Sequence, residues 1–231
     1  MDVARLARIT KSFGRVTAVR DVDLDVRAGE VHVLAGENGA GKSTLIKILG
    51  GAYRDFGGEF VFRGVSRRFR SPHEAVQAGI ATIHQELSLV PTMSVVDNLF
   101  LGRESRGWWG TVAFNRQVSA ATRILAEAGL PCSPHAIVGD LSLADQQNLE
   151  VARALARDAA LFIFDEPTSA MHGPEVEALC RRIDGLRARG CGVVYITHKL
   201  DEIYRLADRI TVLRDGRVVG TATPAALPKA A

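Results

Sequence analysis

The sequence has little cysteine: Cys132, Cys180 and Cys191 are the three in 231 residues. Their number is odd and no two stand at a metal-ligand spacing. This argues against a disulfide framework or a zinc site and fits reduced thiols in a cytosolic protein. Long apolar runs are also missing. None approaches the ~20 residues a membrane helix needs, and the uncharged stretch 87–96 is short and interrupted by Pro91. Asp2, Arg5 and Arg8 break up the N-terminus, so no secretory signal is expected there. If the protein works at a membrane, another chain must span it. Nor is there an excess of one charge. Lys and Arg number 29 against 26 Asp and Glu, a net +3, and no dense basic block supplies a patch, so nucleic acid is not an expected partner. Hydrophobic and charged fractions are those of a globular protein able to bury one sizeable core, or a core plus a small subdomain.

The most informative stretch is Gly36-Glu37-Asn38-Gly39-Ala40-Gly41-Lys42-Ser43-Thr44, which fits G-x-x-x-x-G-K-[ST], a phosphate-binding loop. Its flanks fit as well. Val31, Val33 and Leu34 read as a buried strand, and residues 44–49, with Leu45, Ile46, Ile48 and Leu49, read as a helix packed on a core. Glycine permits backbone angles that aim several N–H groups into one concavity, and the helix N-terminus adds partial positive charge. Lys42 can reach the β- and γ-phosphates, and the Ser43 hydroxyl suits a phosphate-bound Mg²⁺. A nucleoside triphosphate with Mg²⁺ is the expected ligand.

Residues 3–10 and 16–26 alternate, most clearly Val22, Leu24 and Val26 against Asp21, Asp23 and Asp25, and are expected as strands of a half-exposed antiparallel sheet. Phe13 lies between them, where it can stack on a purine base or serve as a core or turn residue. A further strand is expected over 59–63, and Ser71-Pro72-His73-Glu74 reads as a capping box opening a helix. A short strand over 79–84 follows. From 94 to 156 the chain reads as mostly helical, with caps at Ser94-x-x-Asp97 and Asn115 and a stop at Gly129-Leu130-Pro131. Trp108-Trp109 can form a docking surface or pack on these helices. Residues 161–164 form an expected buried strand ending in Asp165-Glu166, 175–189 a helix stopped by Gly190, and 193–197 a strand ending in His198. Asp215-Gly216 between apolar runs predicts a hairpin, and the Pro/Ala-rich tail 223–231 is not expected to pack.

The strand ends carry the remaining chemistry. Asp165 stands where doubly wound sheets place ligand groups, and a carboxylate there can hold Mg²⁺ through water. Glu166, one residue on, can serve as general base toward an attacking water. His198 ends the next core strand, within reach of a γ-phosphate. Each alone is better explained as a polar residue closing a strand; together, with a phosphate loop in the same chain, they fit an NTP-hydrolysis site.

With these motifs the chain resembles, over essentially its whole length, the nucleotide-binding subunit of an ABC transporter. In that family's terms residues 36–44 are the Walker A loop, Phe13 resembles the base-stacking aromatic, and Gln85 resembles the Q-loop glutamine that senses Mg²⁺ and the membrane partner. Leu141-Ser142-Leu143-Ala144-Asp145-Gln146-Gln147 stands where the Leu-Ser-Gly-Gly-Gln signature belongs, with Ser142 meeting the γ-phosphate held by an opposing subunit. Residues 162–166 resemble the Walker B strand with catalytic Glu166, Ser169-Ala170-Met171-His172 holds the D-loop place, and His198 that of the switch histidine. Gly36-Glu37-Asn38-Gly39-Ala40-Gly41, His84-Gln85-Glu86-Leu87, Asn98-Leu99-Phe100-Leu101-Gly102-Arg103-Glu104 and Tyr195-Ile196-Thr197-His198-Lys199-Leu200-Asp201-Glu202 are similar to the ATP-binding protein of ribose/galactose-type sugar importers. The resemblance implies ATP and Mg²⁺ as cofactors, a membrane permease touching the chain near Gln85 and the helical subdomain, and a second nucleotide-binding domain. Indirectly it implies a periplasmic substrate-binding protein, and a place on the cytoplasmic side of a bacterial inner membrane.

The signature departs from the family: Leu143 and Ala144 replace both glycines and Asp145 the glutamine. Ser142-x-x-Asp145 still makes a capping-box-like helix start, but a carboxylate in the first turn offsets part of the potential that attracts phosphate. The D-loop carries Met171-His172 where the family has Leu-Asp. One phosphate loop where the sugar-importer branch has two halves fits either the N-terminal half of a longer protein or a single-half subunit. The expected fold is α/β: a P-loop NTPase core with a mainly parallel sheet, an N-terminal antiparallel β subdomain and an inserted α-helical subdomain. The expected division is 1–84 with 157–222 as core, 85–156 as helical subdomain and 223–231 as tail.

Overall fold

In a computed structural model, residues 1–84, 87–103, 114–169 and 171–226 are described. Two compact units emerge: residues 1–82, 159–168 and 172–231 form an α/β unit, and residues 83–158 with 169–171 a mainly helical one.

The α/β unit begins with two 12-residue strands, β1 (Asp2–Phe13) and β2 (Val16–Arg27), paired antiparallel. Val22, Leu24 and Val26 are buried, Asp21 and Asp23 exposed and Asp25 half-buried, so the alternation sets which face meets the core. With β4 (Gly57–Phe62) and β5 (Val65–Ser66) they make a four-stranded sheet of order β2-β1-β4-β5. The second sheet has six strands. β3 (Val31–Gly36), β6 (Ile80–Ile83), β7 (Leu161–Asp165), β8 (Gly192–Ile196), β9 (Arg209–Arg214) and β10 (Arg217–Ala222) lie in the order β10-β9-β3-β8-β7-β6. β3 pairs parallel with both β8 and β9, and β7 parallel with β8. Buried residues of β7 and β8 read as continuous apolar runs because both faces are covered, and β3 differs only in its buried His32. The β9–β10 hairpin closes through Asp215 (φ 49°) and Gly216 (φ 72°), both left-handed, as a two-residue turn between right-twisted strands requires.

The helices of this unit are α1 (Lys42–Leu49), α2 (Pro72–Ala78), α6 (Gly173–Ala188) and α7 (Leu200–Leu206). One core joins the two sheets and α1: Leu6, Ile9, Val22, Phe60 and Phe62 with Leu45, Ile48, Leu49, Ile163 and Ile196. Ser71 caps α2 through the Glu74 N–H, but the Glu74 carboxylate accepts from the Arg70 N–H, one residue before the cap, so only half of the expected capping box forms. α6 starts earlier than expected. The Glu175 carboxylate accepts from the His172 N–H at 2.9 Å, which sets the start at Gly173.

In the helical unit, α3 (Val95–Phe100), α4 (Phe114–Ala128) and α5 (Leu143–Leu155) bury Val95, Val96, Leu99, Ala121, Leu125, Leu149 and Ala152 together. Ser94 caps α3 through the Asp97 N–H. Asn115 is not a cap: it lies one residue inside α4, so its backbone is already helical. Gly129 ends α4 at φ 63°. The buried Asn98 amide accepts from the Val90 N–H at 2.7 Å and donates to the carbonyls of Val90 and Ser94, both at 3.0 Å, pinning the segment before α3. None of the three cysteines forms a disulfide; burial pushes the Cys180 thiol up to about 11. Among the described residues no helix is long and apolar enough to cross a membrane. The expectations for Gln85, Trp108-Trp109 and Ala170 fall on residues outside the description.

Candidate functional site

The loop between β3 and α1 is shaped by close backbone approaches. Gly36 has φ 151°, and a Cβ there would stand 2.4 Å from the Leu213 carbonyl oxygen; Gly41 has φ 104°, and its Cβ would stand 2.6 Å from Val19 Cγ1. A side chain at either position would push the loop off β9 or β2. Around Gly39, by contrast, a Cβ would meet nothing within 4 Å. Gly41 stands at the N-cap of α1 with no side-chain cap, and its carbonyl accepts from the Thr44 and Leu45 N–H groups, both at 3.1 Å. Lys42, 9% exposed, folds over the loop and donates to the carbonyls of Gly36 (2.6 Å) and Glu37 (2.9 Å). Both partners are neutral carbonyls, and among the described residues no carboxylate pairs with it. The Ser43 hydroxyl is solvent-exposed.

Two strands away, Asp165 closes β7 and Glu166 follows at φ 48°, its N–H bonded to the Ile196 carbonyl of β8 at 3.1 Å. Left-handed geometry is uncommon for a non-glycine residue and persists where surrounding contacts enforce it. It brings Glu166 Oε1 to 3.4 Å from His198 Nδ1, with Glu166 mostly buried and His198 mostly exposed. Pairing of β7 with β8 therefore assembles the carboxylate and imidazole that the sequence keeps 32 positions apart.

Phe13 ends β1 and is 43% exposed. It is therefore neither a core residue nor free of neighbours: its ring meets Tyr53 edge-on at 5.2 Å and carries the Lys11 ammonium 5.0 Å from its centroid. Tyr53 was not foreseen, since an aromatic in a short loop carries no periodic signal. Thr168, Tyr195 and Glu202, all buried, form a polar cluster with the partly exposed Lys199, a role the sequence did not assign to them.

Ser142 lies in the helical unit, where it caps α5: its oxygen accepts from the Asp145 N–H at 3.1 Å and donates to Asp145 Oδ2 at 2.7 Å. The unusual Asp145 thus engages the serine hydroxyl directly, beyond its effect on helix potential. Gln147 donates to Ser169 Oγ at 3.1 Å.

Among the described residues no group of three or more His, Cys, Asp or Glu side chains could hold a metal. Ser43 is exposed at the start of α1, and Asp165 is half-buried at the end of β7.

Comparison with known proteins places this geometry. The family model described as ABC transporter matches residues 19–169, and the chain belongs to that family. It is 52% identical over 226 residues to "Ribose import ATP-binding protein RbsA 2" of Rubrobacter xylanophilus, covering 97% of this chain and 44% of that protein. It is 49% identical to "Putative ribose/galactose/methyl galactoside import ATP-binding protein 3" of Burkholderia cenocepacia, covering 95% of this chain and 43% of that protein. The chain thus spans less than half the length of these relatives. Among solved structures, a nucleotide-free ATP-binding cassette from an ABC transporter superposes with TM-score 0.84 at 25% identity, covering 96% of this chain and 92% of that one. A dimeric post-hydrolysis cassette bound to ADP and Pi gives TM-score 0.82 at 25% identity, covering 95% and 98%. The α/β architecture with its antiparallel sheet and helical unit is that of an ATP-binding cassette.

Proposed function

We propose that the chain binds ATP with Mg²⁺ and hydrolyses it to drive import of a monosaccharide through a separate membrane permease, on the cytoplasmic side of a bacterial inner membrane. The observation that carries the reading is one sheet presenting both halves of the chemistry: the phosphate loop after β3, and Glu166 with His198 after the neighbouring strands β7 and β8. The names of the relatives support the sugar, since ribose and galactose import recur among them.

In this mechanism the first-turn amides of α1 and the loop amides hold the β- and γ-phosphates, and Lys42 turns from the loop carbonyls to the phosphate oxygens. Phe13 offers its exposed ring to the base. Ser43, Asp165 and Gln85 would hold Mg²⁺, which would supply positive charge against the phosphates. Glu166 takes a proton from the attacking water, and His198 donates toward the γ-phosphate. Ser142 of a second nucleotide-binding domain completes the site, as the dimeric state of a related cassette supports. The permease meets the surface near Gln85 and the helical unit, and a periplasmic protein delivers the sugar on the far side.

The test is a pair of variants. Lys42→Ala should abolish ATP binding; Glu166→Gln should keep binding and lose turnover. A Glu166→Gln chain that hydrolyses normally would overturn the assignment. One observation favours a second reading, in which turnover requires a partner half: Asp145 already occupies the Ser142 hydroxyl. A hydrolysis rate that rises faster than linearly with concentration supports self-pairing, and binding without turnover supports the partner-dependent reading.

A further inference from the structure

Glu202 sits in the first turn of α7 and is 5% exposed. A buried carboxylate is costly unless its oxygens are held, and here both are. Oε1 accepts from Thr168 Oγ1 at 2.6 Å and Oε2 from the Tyr195 hydroxyl at 2.8 Å. Lys199 supplies the countercharge 3.4 Å from Oε1 and also donates to the Thr168 carbonyl at 2.9 Å and to Thr168 Oγ1 at 3.1 Å. Burial, reinforced by Glu202, pushes the Tyr195 phenol well up, so it stays a donor.

The cluster has a particular address. Thr168 is two residues past Glu166, and Lys199 directly follows His198. It therefore ties the segment that carries the carboxylate to the segment that carries the imidazole. Glu166 needs such support because it is held at φ 48°. On its own N–H the restraint is the Ile196 carbonyl; beyond Pro167 it is Thr168, clamped by Glu202 and Lys199.

We propose that Glu202 is a positioning residue: with Tyr195 and Lys199 it fixes Thr168, and so holds Glu166 opposite His198. Both of its carboxylate oxygens are engaged within the protein. The inference rests on the hydrolytic reading of the Glu166–His198 pair.

The test compares Glu202→Gln, Thr168→Val and Thr168→Ser in the intact chain. Glu202→Gln keeps the shape but sets an amide donor against hydroxyl donors; Thr168→Val removes the hydroxyl and Thr168→Ser restores it. For the first two, kcat for MgATP should fall by about tenfold or more with KM within about twofold, the pattern of a lost transition-state arrangement; Thr168→Ser should match wild type. Hydrogen exchange in the nucleotide-free chain supplies an arm that needs no turnover. Peptides covering 165–169 should exchange about tenfold faster in Glu202→Gln and Thr168→Val, while 36–49 is unchanged. Unchanged exchange at 165–169, a rise spread evenly over the whole sheet, or a KM that rises with no change in kcat would each overturn the proposal. A wild-type chain that binds ATP without turning it over removes the hydrolytic reading for this chain alone, and the exchange comparison still decides the clamp.

Discussion

The phosphate loop and the Glu166–His198 pair occupy strand ends of the same sheet, yet they are built in opposite ways. The loop is contiguous. Its amides, its lysine and its hydroxyl come from residues 36–44, and its shape follows from glycines whose angles other residues adopt only with strain. The pair is assembled across β7 and β8, and its geometry depends on a strained Glu166 and on a buried polar cluster behind it. A local motif is robust to change elsewhere in the chain, whereas an assembled one fails whenever the elements behind it move. Binding and hydrolysis should therefore be separable by mutation.

The largest effect should come from breaking the pair itself. Glu166→Gln should lower turnover by about 10²–10⁴-fold, the contribution of a positioned general base, with ATP affinity retained; single-turnover hydrolysis beside equilibrium binding reads both. At the loop, Lys42→Ala should weaken ATP binding by about 100-fold or more, because a charge-assisted contact to each phosphate is lost; titration of a fluorescent ATP analogue measures it. Gly41→Ala should cost about 1–3 kcal/mol of stability by forcing a Cβ against Val19 and a side-chain-bearing residue into φ 104°. A melting curve should show a drop of several degrees and, if the loop alone is disturbed, weaker binding with it.

Acidity should act on the frame that carries the loop. His32 on β3 is buried, with Nδ1 2.8 Å from the Asp25 carbonyl and Nε2 2.7 Å from Thr211 Oγ1. Burial and then the neighbouring Arg209 hold its pKa below the ordinary value, with partial offset from Asp25 and Glu30. The unfolded chain therefore binds a proton there first. Stability should be level above about pH 6.5 and decline as pH falls below it; urea midpoints at pH 7.5 and 5.5 should show the loss, and His32→Gln should flatten it. Asp145→Gln should give the smallest change. It releases the Ser142 hydroxyl and removes a first-turn carboxylate, which should raise the affinity of any ATP-dependent pairing by less than about tenfold; light scattering with MgATP and inactive Glu166→Gln protein would measure it.

Much of this was legible in advance. Alternation over 16–26, the Asp215-Gly216 turn, the caps at Ser71, Ser94 and Ser142, and the glycine stops at Gly129 and Gly190 each rest on a local rule, and each appears where the rule puts it. Helix starts were less legible. Asn115 looked like a cap and is helical, and the Glu74 carboxylate reached past its expected partner to Arg70, because which amide a flexible side chain meets depends on the entering chain. Phe13 could be read as stacking or core; its half-exposed ring against Tyr53 needed the second loop to be in place.

The phosphate loop, the periodicities of the strands and the helix stops follow from the order of residues, since these depend on neighbours within a few positions. Packing in three dimensions makes Glu166 and His198 meet, lets Asp145 hold the Ser142 hydroxyl and buries Glu202 between Thr168 and Tyr195. A carboxylate near a helix start reads as a solvent-exposed first-turn charge in one dimension. It becomes a buried clamp only because parallel strand pairing carries its partners to it.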